Sequence, residues 1–116
     1  MNDILQDKSY KFALRIVKLS QYLAKEKSEF VLSKKILDSG TNIGLLIEEG
    51  KQGKNRSDFR QKYSVSNKEA FRTHFLLRLI RDGEYIGDAH AQSLLDYCTE
   101  LQKMLIATLK TVGKVE

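Results

Sequence analysis

The amino-acid sequence predicts an all-α fold, an antiparallel four-helix bundle, and three observations lead to this prediction. Apolar residues recur three and four positions apart along most of the chain, which is the spacing of amphipathic helices. The 116 residues include no proline, a residue that would interrupt long helices. Short connections separate the helical stretches and make consecutive helices antiparallel neighbours. We therefore expect residues 1–116 to form a single four-helix-bundle domain.

The first helix is expected from about Asp7 to Lys27, because an apolar stripe runs along it at helical spacing. Lys25 and Lys27 in its last turn complement the helix dipole. Residues 1–7 lack the basic start and the apolar segment of a signal peptide. The stripe consists of Phe12, Ile16, Leu19 and Leu23.

The second helix, from about Phe30 to Glu49, contains residues that weaken helices. Gly40 and Gly44 lie on its apolar face, although each glycine costs about 1 kcal/mol relative to alanine. Glycines kept at such positions let another helix approach closely, so we predict a close helix–helix contact here. Gly50 is well placed as the C-terminal cap. The apolar face consists of Ile36, Gly40, Ile43, Gly44 and Ile47.

The third helix is expected from about Arg56 to Asp82. Asn55 or Ser57 would cap its start, and the acidic Asp58 lies in its first turn. Two small residues of its apolar stripe are expected to face the glycines of the second helix. The stripe consists of Phe59, Tyr63, Ser66, Ala70, Leu77 and Ile80, of which Ser66 and Ala70 are the small ones.

The second half of the third helix carries more apolar surface than one stripe requires. Either this helix is more buried than its neighbours, or the extra face meets another subunit. We predict an oligomer interface on it, and therefore a homo-oligomer. The predicted interface residues are Phe71, Phe75, Leu76 and Leu79.

The fourth helix is expected from about Asp88 to Val112, after a turn at residues 83–87. Its apolar residues recur at a regular helical spacing, which predicts one buried face. Residues 113–116 are expected to fray. The stripe consists of Leu94, Cys98, Leu101, Leu105 and Leu109.

The charge balance permits an acidic partner without proving one. Lysine and arginine total 20 against 15 acidic residues, a formal net charge of +5. A basic stretch joins the second and third helices, where loop N–H groups and a helix N-terminus could meet a phosphate. We predict nucleic-acid contacts there, and the alternative is a solvated loop whose charges serve solubility. The predicted residues are Lys51, Lys54, Arg56, Arg60 and Lys62.

Catalytic, metal and cofactor sites are not expected. His74 and His90 lie on different helices without a second ligand four positions away, and His74 is expected to be partly buried or at an interface. Glu48 and Glu49 lack the Glu-x-x-His motif of carboxylate metal centres and are expected to pair with the third helix. Cys98, the one cysteine, is expected to be a core thiol in a reducing cytoplasm. No apolar run is long enough to span a membrane.

Several stretches, spread over nearly the whole chain, match one family pattern, and Ser-Gly-Thr-x-Ile-Gly is the most specific of them. They are Phe30-Val31-Leu32-Ser33-Lys34, Ser39-Gly40-Thr41-Asn42-Ile43-Gly44, Glu48-Glu49, Ser57-Asp58-Phe59, Lys68-Glu69-Ala70, Leu77-Arg78-Leu79-Ile80 and the stretch from Leu101 to Thr111. In these residues the chain resembles the four-helix-bundle family of 23S ribosomal RNA intervening-sequence proteins. It is similar, more distantly, to the accessory variability determinant of diversity-generating retroelements.

The chain departs from the family pattern at three places. Leu45-Leu46 stands where the family usually has Ala-Asn, and Asp38 stands where it usually has a basic residue. Phe71-Arg72-Thr73 replaces the usual Arg-Glu-Thr. The changes at Asp38 and Leu46 remove a basic and a polar group, so a binding role of the family is not carried over to those positions.

The resemblance implies an up-down-up-down bundle that assembles as a homopentamer and has no established enzymatic activity. It also implies a role with nucleic acid and, through the retroelement relatives, a reverse transcriptase as a protein partner. Two function classes follow. The first is a non-enzymatic oligomeric module that binds RNA or DNA weakly through a basic surface. The second is a structural or protein-interaction module without nucleic-acid affinity.

Overall fold

A computed structural model describes residues 3–115 of the chain. These residues form four α-helices and no strand, which confirms the all-α prediction and is consistent with a four-helix bundle. The helices are α1 (Ile4–Lys27), α2 (Val31–Lys51), α3 (Arg56–Asp82) and α4 (Asp88–Val115). The bounds of α3 are those that the sequence predicts, whereas α1 begins three residues before the expected Asp7.

Local capping interactions explain two of the helix boundaries. Ser28 adopts a left-handed conformation with φ 52°, and the N–H of Glu29 donates to the carbonyl of Leu23 at 2.9 Å, which ends α1. Asn55 accepts a hydrogen bond from the N–H of Asp58 at 2.9 Å and so caps α3. Of the two caps that the sequence allowed, the structure therefore selects Asn55.

Gly50 does not end α2, and this prediction was wrong. The helix continues to Lys51, and no glycine in the described residues has a positive φ. A Cβ atom on Gly50 would lie 2.8 Å from ring atoms of Tyr63. Glycine is needed at this position because the Tyr63 ring of α3 packs directly on the backbone of α2.

The end of α4 also differs from the expectation. The helix runs through Gly113 to Val115 instead of ending at Val112. A single glycine inside a helix costs about 1 kcal/mol, which does not stop a helix of this length. Glu116 lies outside the described residues.

Each helix packs against its neighbour in sequence, and α1 also packs against α4. Contacts between α1 and α2 run in opposite sequence order in the two helices, as three pairs show. These pairs are Ser20 with Ser33, Ile16 with Gly40, and Ser9 with Gly44. All four helices contribute to one cluster of buried apolar side chains, and the predicted stripe of α1 is buried throughout.

The predicted close contact at Gly40 and Gly44 is confirmed, but its neighbour is α1. A Cβ atom on Gly40 would lie 2.7 Å from Ile16, and one on Gly44 would lie 3.3 Å from the carbonyl oxygen of Ser9. The small residues of α3 therefore do not face these glycines. Ser66 instead donates a hydrogen bond to the Ile43 carbonyl at 2.8 Å, and Ala70 belongs to the cluster of buried apolar side chains.

Buried hydroxyl pairs join the helices on both sides of α2. Ser20 of α1 and Ser33 of α2 lie 3.0 Å apart, and each hydroxyl also reaches the other residue's carbonyl. Between α2 and α3, Thr73 donates to Ser39 at 3.0 Å. Each of these buried hydroxyls has a hydrogen-bond partner, so its burial costs little free energy.

Candidate nucleic-acid interface

An acidic side chain of the chain itself, Asp58, lies beside the loop between α2 and α3, at the start of α3. The Asp58 carboxylate accepts a hydrogen bond from the N–H of Lys54 at 3.3 Å, while Asn55 accepts one from the N–H of Asp58. These interactions satisfy two of the backbone donors that a phosphate would need at the helix N-terminus. A phosphate near this loop must therefore rely on side-chain cations more than on backbone N–H groups.

Two of the predicted nucleic-acid-binding lysines form ion pairs within the chain. Lys51 pairs with Asp3, which precedes α1. Lys62 on α3 pairs with Glu49 on α2 at 3.1 Å, which confirms the expectation for Glu49, whereas the same expectation for Glu48 was wrong, since Glu48 lies beside residues of α1. Each ion pair lowers the positive potential that its lysine offers to a phosphate.

The predicted cations do not form one continuous patch. Arg60 and Lys62 are two positions apart on α3, and two positions turn an α-helix by about 200°. Lys62 faces α2, while Arg60 lines a surface depression between α3 and the end of α4. Lys54 and Arg56 are exposed in the loop and the first turn of α3.

Sequence reasoning missed Lys68, which lies in the same depression as Arg60. These two residues are eight positions apart, with Ser64 between them, so all three lie along one row of the helix surface. This spacing was the signal that could have identified Lys68. The residues lining the depression are Ser57, Arg60, Gln61, Ser64, Val65, Lys68 and Leu109.

The predicted oligomer interface divides into exposed and buried parts. Phe71, Phe75 and Leu79 are 56%, 52% and 43% exposed, and we call them the α3 stripe. Leu76 is only 6% exposed and belongs to the core, so its assignment to the interface is corrected. It lies one turn from Thr73 and Ile80, which are fully buried, and this places it on the inner face of α3.

The sequence predicts that Cys98 is a core thiol and that His74 is partly buried or at an interface, and the structure buries Cys98 and partly buries His74. Cys98 is buried, burial raises the pKa of its thiol to about 12, and the sulfur lies 3.3 Å from the Ala70 carbonyl. Such a thiol carries almost no reactive thiolate near neutral pH. His74 is partly buried, and this burial, with Arg78 and Arg81 nearby, lowers its pKa.

Within the described part of the chain, no three histidine, cysteine, aspartate or glutamate side chains come together as metal ligands. None of the helices in the same residues is long and apolar enough to cross a membrane.

Comparison with known proteins places the chain in a family. Residues 2–107 match the family model described as 23S rRNA-intervening sequence protein. The structure is similar to the crystal structure of a protein of unknown function from the S23 ribosomal protein family of Bacteroides thetaiotaomicron, with a TM-score of 0.91 and 42% sequence identity. The alignment covers 93% of this chain and 96% of that one.

A comparison with curated proteins gave no match. Neither the family description nor that of the structural neighbour names an enzymatic activity. The family match covers most of the chain, and the neighbour shares both sequence and fold with it. The chain therefore belongs to the family of 23S rRNA-intervening sequence proteins.

Proposed function

We propose that the protein is a non-enzymatic oligomeric module that binds RNA or DNA weakly through phosphate contacts. The observation that carries this proposal is the depression on α3, where Arg60 and Lys68 lie beside the polar side chains of Ser57, Gln61 and Ser64. Two cations with hydroxyl and amide groups suit the backbone of a nucleic acid, which presents charged oxygens at regular intervals.

The contacts proposed here do not read base sequence. The cations lie on the outer surface of one helix and its preceding loop, and no residue of the described depression is aromatic. Binding through phosphates alone is tolerant of sequence and decreases steeply with salt, because neutralised phosphates release counterions. Lys54 and Arg56 extend the basic surface from Arg60 towards the loop.

Assembly would strengthen this binding. We propose an up-down-up-down bundle of residues 1–116 that forms a homopentamer. Each copy has a formal net charge of +5, so a ring would repeat one modest basic surface around its circumference. Several weak contacts on one nucleic acid give avidity without any new chemistry.

The family description names an intervening sequence of 23S rRNA, which makes structured RNA the first nucleic acid to test. Binding is measured by fluorescence anisotropy with a structured RNA and a duplex DNA at several salt concentrations. The triple variant Lys54→Glu, Arg56→Glu and Arg60→Glu should lose binding while keeping its helicity and its oligomer size.

A matched control distinguishes the effect of the local basic surface on binding from the effect of the net charge. The triple variant Lys18→Glu, Lys25→Glu and Lys103→Glu makes the same charge change at exposed positions of α1 and α4. It should retain most of the binding at moderate salt. If the wild-type protein binds neither nucleic acid even at low salt, the nucleic-acid proposal is wrong.

The second candidate is a structural or protein-interaction module without nucleic-acid affinity. Two observations favour it: Lys51 and Lys62 are already paired with carboxylates, and the exposed α3 stripe suits a protein surface better than a nucleic acid. A reverse transcriptase, the partner that the resemblance to the retroelement proteins implies, is the first protein to test. Salt-dependent RNA binding distinguishes the two candidates.

A further inference from the structure

Among the exposed apolar side chains of the described residues, those of the α3 stripe form a first surface. Its members are four positions apart, so they form a continuous row along the outer side of α3. Each remains about half exposed, although large apolar side chains at this spacing would be expected to pack against something.

The second surface is a groove between α1 and α2, which we call the α1–α2 groove. Tyr10 and Ala13 line it from α1, while Thr41, Gly44 and Leu45 line it from α2. Tyr10 is 59% exposed and Leu45 is 54% exposed. Gly44 contributes only backbone atoms to the lining of the groove.

Acidic groups surround one end of the groove. Glu48 lines it and forms no ion pair within residues 3–112. Asp3 and Asp7 lie with Glu48 and Tyr10 around an adjoining depression, although Lys51 and Lys11 partly neutralise these two aspartates. The uncompensated charge at the groove is therefore negative.

Basic groups surround the α3 stripe. The Arg78 guanidinium lies 5.4 Å from the centre of the Phe75 ring, and Arg72 lines a depression with Phe75. Lys68 is exposed one turn before the stripe. The same depression contains the acidic Asp38, which leaves the surroundings of the stripe basic on balance.

We propose that the α3 stripe of one copy docks into the α1–α2 groove of a second copy, in a head-to-tail contact. One chain carries both halves of the pair, an apolar row with basic surroundings and an apolar groove with an acidic end. Contact between two stripes would bring Arg72 and Arg78 of both copies together, and such like-charge contacts are unfavourable. A head-to-tail contact leaves a free stripe and a free groove at its ends, so it can close into a ring.

This docking mode rests on the proposed function, which includes a homo-oligomer. A complementation experiment tests the docking mode separately from the formation of the oligomer. Phe75→Asp disables the stripe, and Leu45→Asp disables the groove. Both side chains are about half exposed, so the fold should survive, which circular dichroism verifies. By sedimentation velocity, each variant alone should be monomeric, whereas an equimolar mixture should form a dimer that does not grow further, because one intact stripe and one intact groove remain.

Val31→Asp is the matched control, since Val31 is an exposed apolar residue outside both surfaces, and this variant should assemble like the wild type. If the wild-type protein assembles but the mixture stays monomeric, or if either variant alone keeps the wild-type size, the docking mode is wrong. A monomeric wild-type protein would instead contradict the oligomer itself.

A second measurement does not depend on disrupting the interface. Phe75→Cys and Leu45→Cys are prepared as separate proteins and treated with a short bismaleimide crosslinker. The buried Cys98 should not react. The mixture should give mainly crosslinks between the two variants, whereas crosslinks of Phe75→Cys to itself as the main product would overturn the head-to-tail contact.

Discussion

Gly40 of α2 lies so close to Ile16 of α1 that a Cβ atom on the glycine would lie 2.7 Å from the isoleucine side chain. Ile16 is fully buried, and the atoms that the Cβ atom would meet include its Cβ and both Cγ atoms, which lie close to the backbone of α1. Gly40 weakens α2 as an isolated helix, and the close approach of Ile16 is the reason that a residue without a Cβ atom fits at this position. The spacing of α1 and α2 in turn determines the shape of the α1–α2 groove.

Replacing Gly44 by leucine should overpack the α1–α2 contact, because a Cβ atom there already lies 3.3 Å from the backbone of Ser9. We expect the free energy of unfolding to fall by about 1–3 kcal/mol. Urea denaturation measures this change. Lys34→Leu introduces the same side chain on the exposed face of α2 and should have little effect. An unchanged midpoint for Gly44→Leu would contradict the close contact.

Cys98 should be unreactive in the folded protein. Its thiol is buried, and burial raises its pKa to about 12, so the thiolate that attacks a thiol reagent is almost absent at pH 8. Labelling with an aromatic disulfide reagent should proceed at the rate of unfolding in buffer and at once in denaturant. Immediate labelling of the native protein would show that the helices around Cys98 open far more readily than the packing indicates.

The pH dependence of stability should include a contribution from His74. Burial and the nearby Arg78 and Arg81 lower the pKa of His74 below its unfolded value of 6.5. The stability associated with its neutral form is therefore present above pH 6.5 and is lost as the pH falls through the lower, folded pKa. The difference in unfolding midpoint between pH 7 and pH 5 should be smaller for His74→Gln than for the wild type.

His90→Gln removes an exposed imidazole from α4 and serves as the control for that experiment. Its midpoints should follow those of the wild type at both pH values. Equal pH dependence of all three proteins would exclude a contribution from His74.

Much of the fold could be read from the sequence because helical periodicity is a local property. The spacing of Phe12, Ile16 and Leu23 identifies the inner face of α1 whatever that face packs against. In the same way, Asn55 and Asp58 mark the start of α3 within four residues of each other. The resemblance to the 23S rRNA-intervening sequence proteins was confirmed, and it rests on such short stretches.

The ion pairs and neighbours of the candidate site residues could not be read from the sequence, because they depend on residues that are distant in sequence. That Lys51 pairs with Asp3 and Lys62 with Glu49 follows only from the packing of α1, α2 and α3. The composition of a sequence stretch shows which cations it contains. It does not show which carboxylates the packing of the helices places next to those cations. The sequence therefore predicted one basic patch, whereas the structure separates its cations. Arg60 lies in one depression with Lys68, and Lys62 faces α2.

The sequence by itself determined most of the residues that point inwards on each helix and, to within three residues, where each helix begins and ends, since both depend on neighbours within a few positions. Only the tertiary structure decided which helix each face meets. It placed α1 rather than α3 against Gly40, set the Tyr63 ring on Gly50, and buried Leu76 while leaving Phe75 exposed. The physical reason is that a helix with an apolar face gains nearly the same free energy from burying it against any apolar neighbour, so the choice between neighbours depends on how all four helices fit together.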